Sequence, residues 1–238
     1  MVRVKVWGDY ACFSRPDFKV ERVSYPVITP SAAWGVLEAI YWKPAFRYQI
    51  RRVHVLRLGS QTTILRNEIS CAQGSKPLRV EDNRQQRTSL ILKKVEYVID
   101  AEIVPRPFAR DEIGGYLDQF NRKVLKGQCH HTPCLGTREF SAYFEPPSET
   151  DRGDLASEGL SIDLGQMLFD TAFVEAKRKE DQEMEFWRQT ENGPRLVKGF
   201  AYRVFFDAKV RNGVLIVPPE KYADLDRLEG GDAAQGAS

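Results

Sequence analysis

The stretch "CHHTPC" places Cys129, His130, His131 and Cys134 within six residues and holds two of the chain's three histidines. Four ligands packed this closely strain a tetrahedral zinc site, and no second Cys-x-x-Cys or His-x-x-x-His pair completes one. The spacing implies no metal, and a donor-rich loop after a helix is the structural alternative. Imidazoles suit another chemistry. Cleaving RNA without a metal needs a base for the 2′-hydroxyl proton and an acid for the leaving oxygen, and imidazole titrates near neutral pH. Cations must also meet the charge developing on the phosphate; Arg122, Lys123, Lys126 and Arg138 flank the pair. A solvated surface pair with neither task is the commoner use of two such histidines. The third, His54, falls in a strand pattern.

A second stretch, "AIYWKP", sets Tyr41 and Trp42 on the last turn of a helix, with Lys43 next and Pro44 as the stop. Packing and a helix cap would account for it, yet an arginine-studded strand follows at once. No Gly-x-x-x-x-Gly-Lys-Ser/Thr loop, His-Glu-x-x-His helix or Gly-x-Ser-x-Gly elbow occurs, which argues against nucleotide hydrolysis, zinc peptidases and α/β-hydrolases. The glycines mark turns and form no dinucleotide fingerprint, so no cofactor is expected.

Elements must hold these side chains. "VRVKVW" alternates Val2, Val4 and Val6 with Arg3, Lys5 and Trp7, a half-buried strand with a basic, aromatic open face. A helix is capped by Thr29, opens on Pro30 and carries Ala33, Trp34, Leu37 and Ile40 or Tyr41 as its stripe. It should end near Lys43, since Pro44 disfavours the α conformation before it. "RYQIRRVHVLRL" predicts a strand, and residues 59–88 an irregular insertion or hairpin ending in "EDNRQQR". "SLILKKVEYVIDAEIV" predicts a strand with Val95, Tyr97, Ile99, Ala101 and Ile103 on one face. "DEIGGYLDQFNRKVLKGQ" predicts a helix with Ile113, Tyr116 or Leu117, Phe120 and Val124 inward and Gly127 as terminator, and "LGTREFSAYFE" a further strand. The order β-α-β-β-α-β is the ferredoxin-like (RRM-like) arrangement.

The division expected is an α+β chain with a ferredoxin-like domain over 1–145, a smaller β-rich domain over 146–226, and a disordered tail over 227–238. "PPSETDRGDLASEG" reads as the junction, and Asn212-Gly213 as the tight turn of a hairpin. With 238 residues, 42% hydrophobic and 29% charged, the composition is that of a soluble globular protein. No apolar run approaches the ~18 residues of a membrane span, and Cys12, Cys71, Cys129 and Cys134 read as reduced thiols of a cytoplasmic protein. Residues 1–144 carry 23 Lys and Arg against 14 Asp and Glu, whereas the remainder carries 12 against 19. A basic front and an acidic back point the front toward a polyanion.

"VWGDYACFSRP", "KVERVSYPVITPSAAWGVLEAIYWKP", "NRQQR" before a long strand, and "PCLGTREFSAYFE" follow one another in a familiar order. The sequence closely resembles the fifth family of CRISPR-associated proteins, subtype d (also called c), of type I-C systems, a branch of the RAMP superfamily. The likeness runs from about Val4 to Phe144 and more loosely through "DLGQMLFD" and "VRNGVLIVPP"; "AIYWKP" and "CLGTREF" are its most telling pieces. It implies a RAMP domain that cuts the repeat hairpin of the CRISPR precursor transcript without metal, by 2′-hydroxyl attack leaving a cyclic phosphate. It implies further that the protein stays on the 5′ handle of the guide RNA within the Cascade surveillance complex. The implied partners are the repeat RNA and the backbone, large and small Cascade subunits, with target DNA and the helicase-nuclease indirectly and no membrane.

By the same resemblance Tyr41 is the active-site tyrosine. An unperturbed phenol, near ~10, is a poor base at neutral pH, so its expected task is to orient the scissile phosphate or ribose. Where some members carry Lys-His near the start of the second helix, this chain has Gly115 and Tyr116. Three outcomes stay open: His130 or His131 takes over, Tyr116 serves beside Tyr41, or the chain binds the handle without cutting. The first requires the loop after that helix to fold back. Residues expected on RNA are Arg3, Lys5 and Trp7 on the first strand, then Lys19, Arg22, Lys43, Arg84 and Arg87, and Arg122, Lys123, Lys126 and Arg138 around the histidines.

Overall fold

The computed structural model describes residues 1–18, 20–70, 74, 77–109, 113–148, 151 and 159–230. Lys19, Cys71 and the tail from 231 onward lie outside the described residues.

Strand β1 (Val2–Ala11) buries Val2, Val4 and Val6 completely, as the alternation requires. It lies antiparallel to β5 (Arg84–Pro105), with Val4 opposite Ile99. The 22 residues of β5 serve several partners. Its first half pairs with β4 (Ser60–Ile69), and its second with β3 (Phe46–Arg57), where Tyr48 faces Ile103. Lys94, at a positive φ of 58°, marks the passage from one partner to the other. Within the segment expected as an irregular insertion or hairpin, Ser60–Ile69 thus pairs antiparallel with the start of β5. A short β2 (Arg22–Val23) runs parallel to β5, and β6 (Tyr143–Glu145) adds to the outer edge of β1.

The second half of the chain extends the same sheet. Strands β7 (Ile162–Glu175), β8 (Met184–Thr190), β9 (Gly193–Arg211) and β10 (Val214–Ile216) give the overall order β6-β1-β5-β3-β10-β9-β7, with β2, β4 and β8 as side branches. Asn212 and Gly213 take φ values of 47° and 76°, as the tight turn between β9 and β10 demands. The returning β10 pairs with β3, Leu215 opposite Val53, and stitches the two halves together.

Among the described residues three α-helices pack on the sheet. Helix α1 (Pro30–Ile40) starts as expected, with the Thr29 hydroxyl accepting from the Ala32 N–H at 3.2 Å. It ends at Ile40 and not near Lys43: Tyr41 is extended, and leaving the helical path there aims its ring at Phe46, 5.6 Å away between centroids. Helix α2 (Ile113–Leu125) buries Tyr116, Phe120 and Val124, whereas Ile113, expected inward, is exposed. A stripe stepping by four residues does not pass through 113. Gly127 follows with φ 62°. Helix α3 (Glu220–Leu228) packs on β7 and β9, so Arg227 and Leu228, expected in the tail, are helical.

Of "LGTREFSAYFE" only Tyr143–Glu145 is strand. The earlier part is a tight turn in which Leu135 donates to the Phe140 carbonyl. The reason is Gly136, at φ 89°, where a Cβ would come within 1.9 Å of the Cys12 carbonyl oxygen. The motif presses against β1 and buries Leu135 completely.

Candidate active site

Tyr41, at the end of α1, is only 3% exposed. Its hydroxyl donates to Gln119 Oε1 of α2 at 2.8 Å, and Lys123 Nζ, one turn further along α2, stands 6.0 Å from its ring centre. Tyr116 is also buried, 4.9 Å from Phe46, and Phe46, Tyr48 and Phe120 complete an aromatic cluster beneath Tyr41. Trp42 and Lys43 are exposed beside it.

The loop after α2 does fold back. The backbone N–H groups of His130 and His131 both donate to the Ala39 carbonyl, at 2.8 and 3.2 Å. That carbonyl lies in the last turn of α1, where oxygens lack helical partners, so capping the helix brings the His130–His131 backbone to its end, with Ala39 two residues before Tyr41. The rings are exposed and 5.7 Å apart. Arg122 and Lys126, also exposed, sit in and just after the last turn of α2. One helix junction thus gathers a phenol, two imidazoles and several cations. Among the described residues no three His, Cys, Asp or Glu side chains come together as a metal site.

The other expected residues are elsewhere. Arg3 is clasped by the fully buried Asp100 through both oxygens at 2.5 Å, with His54 3.2 Å from the same carboxylate. Burial raises the Asp100 carboxyl, but His54 and Arg3 outweigh it and hold the group below its ordinary range. Lys5 is ringed by Glu96, Glu145 and Asp151 at 3.0 to 3.4 Å. Trp7 stacks on Tyr143 at 5.9 Å. The open face of β1 is therefore neutralised from within. Arg22 and Arg87 meet at Glu68, 3.4 and 3.5 Å away, joined by Arg66, which also reaches Glu139 at 2.8 Å. Arg84 and Arg138 are exposed.

Three groups escaped the sequence reading. Gln119 had a signal, falling between Tyr116 and Lys123 on one helix face. Glu38, one turn before Tyr41, has its carboxyl raised to about 7, chiefly by burial, with Arg106 opposing and Asp170 adding to the rise. Asp170 is itself raised to about 6, again mainly by burial. Nothing in the local pattern around Glu38 announces that folding withdraws water from it.

Antiparallel strands covered by three helices, with imidazoles, a phenol and lysines at one junction, define an α+β protein carrying acid–base groups beside cations. The chain belongs to the Cas5d family: the family described as CRISPR-associated protein (Cas_Cas5) matches residues 1–218. It is 57% identical over 232 residues to a CRISPR pre-crRNA endoribonuclease Cas5d of Thermus thermophilus, covering 98% of this chain and 97% of that protein. A protein of the same description from Mannheimia succiniciproducens is 38% identical over 237 residues, covering 92% and 95%. A crystal structure of a CRISPR-associated protein superposes with a TM-score of 0.61 at 22% identity, covering 92% of each chain, and shows the fold. No helix among the described residues is long and apolar enough to cross a membrane.

Proposed function

We propose that the chain cuts CRISPR precursor RNA at its repeat, as its relatives' names describe, and then stays on the 5′ handle of the guide with the other type I-C Cascade subunits. The observation that supports the site assignment is the pair of hydrogen bonds from the His130 and His131 backbone N–H groups to the Ala39 carbonyl, which holds that loop at the end of α1, two residues before Tyr41. One imidazole takes the 2′-hydroxyl proton as that oxygen attacks the adjacent phosphorus. The bond from phosphorus to the 5′-oxygen breaks, and the second imidazole protonates the departing oxygen, leaving a cyclic phosphate and a 5′-hydroxyl. Lys123, Arg122 and Lys126 meet the charge on the phosphate. Tyr41, fixed by Gln119, orients the phosphate or ribose, and Tyr116 supports it from within the aromatic cluster. The order β6-β1-β5-β3 supports a ferredoxin-like reading of residues 1–145, with a β-rich part from 146 to 226.

The covering of Tyr41 and Tyr116, and Gly115 in place of a lysine, favour a second reading in which the chain binds the handle without cutting. Labelled repeat hairpin incubated in EDTA with wild type, Tyr41→Phe and the double variant His130→Ala/His131→Ala separates the two. Cleavage by wild type, reduced about 100-fold or more in each variant, is the expected result. Tight binding with no cut from any of the three overturns the nuclease reading. Cleavage by the histidine variant at the wild-type rate overturns the roles given to His130 and His131.

A further inference from the structure

Away from the histidines, a cavity of about 370 Å³ opens between α1, β7, β8 and α3. Three arginines reach it. Arg47 is held by both oxygens of Asp226, and Arg188 donates to the Phe173 carbonyl at 2.8 Å. Arg106 differs: among the described residues its side chain has no hydrogen bond or ion pair, and its Nε is shut off from solvent without an acceptor. The indole Nε1 of Trp34, on the same wall, is also buried without an acceptor. Leaving such donors unmet is costly; the Arg106 side chain as a whole is only half-buried and lines the cavity, so an anion there can reach the rest of its guanidinium. The wall also carries the rings of Phe169, Phe173, Phe186 and Tyr222, and Trp187 at 66% exposure.

These features select a ligand that is flat and aromatic at one end and anionic at the other. The acceptors Asp170 and Glu229, in the same wall, suit the N–H edge of a base and not a phosphate, which belongs beside Arg106. Tyr48 links the cavity to the site described above: it lines the cavity, and its hydroxyl donates to the Tyr41 carbonyl at 2.7 Å. We propose that this cavity receives one unpaired nucleotide of the bound RNA, its base against the aromatic wall and its phosphate on Arg106. The assignment rests on the RNA-processing reading and gives that RNA a second anchor.

The test is titration of labelled repeat RNA into wild type, Arg106→Met and Trp187→Ala, with the melting temperature of each and free GMP and UMP as competitors. Arg106→Met should bind RNA about tenfold more weakly while melting no lower than wild type, because burial and the neighbouring Arg47 disfavour the guanidinium charge more than Glu229, Glu38 and Asp226 favour it. Trp187→Ala should weaken binding several-fold with an unchanged melting temperature, as loss of one stacking surface does; should Arg106→Met fail to fold, this variant decides. Free nucleotides should not compete at micromolar concentration. Wild-type affinity in the folded variants overturns the cavity assignment and leaves the nuclease reading standing. Free nucleotide binding as tightly as RNA overturns the RNA source. A wild type that binds no repeat RNA overturns both readings together.

Discussion

Replacing Glu38 by glutamine should make the protein more stable, and only at neutral and alkaline pH. Its carboxyl moves from an ordinary 4.5 to about 7 because burial penalises the ion more than Arg106 favours it. Between those values the folded chain holds a proton that the unfolded chain has released, so wild-type stability falls as pH rises through the window. Below it, carboxyl and amide are both neutral and nearly isosteric, and the variant gains nothing. Above it, the gap corresponds to about 3 kcal/mol. For a chain of this size 1 kcal/mol moves the melting temperature about 2–4 °C. Glu38→Gln should therefore melt at least about 6 °C higher than wild type at pH 8.5 and within about 2 °C of it at pH 4.5. Differential scanning calorimetry at the two pH values makes the measurement. Asp170 keeps its own penalty, so adding Asp170→Asn, whose amide oxygen can still accept from the Thr171 N–H, should extend the gain. An equal shift at both pH values, or a lower melting temperature at pH 8.5, would refute the reasoning.

Gly136→Ala should cost about 2–3 kcal/mol in urea unfolding, because its positive φ and the Cys12 carbonyl leave no place for a Cβ. Asp100→Asn should cost about 3 kcal/mol at pH 7 by stranding Arg3. Since the folded Asp100 titrates below its ordinary 3.8, its contribution is present above that pH, and the difference between variant and wild type should vanish as pH falls through the folded value. RNA affinity should fall steeply with salt. Arg122→Ala and Lys126→Ala should each flatten the slope by about 0.7, as for one phosphate contact on a single strand. Lys5→Ala, whose charge is already met by three carboxylates, should leave the slope unchanged; a flattened slope there would return the β1 face to the RNA-binding surface.

What the sequence determined by itself is what local chemistry dictates. Alternation in β1 and the inward run of β5 follow from a period of two. The start of α1 follows from Thr29 and Pro30, and the β9–β10 turn from Asn212 and Gly213, because each is a backbone preference contained within a few residues. The "AIYWKP" and "CLGTREF" stretches were enough to reach the family. Tertiary structure decided how distant segments meet. Residues 214–216 pair with 52–54, far back in the chain, because an unpaired edge beside β3 accepts them and no local pattern encodes that choice. The His130–His131 loop returns to α1 because the Ala39 carbonyl at a helix end needs donors. Arg3 and Lys5 look like free cations in the alternation of β1, yet carboxylates from β5, β6 and Asp151 satisfy them. The carboxyls of Glu38 and Asp170 are raised mainly because folding removes water from around them, and desolvation depends on what the whole chain packs against a side chain.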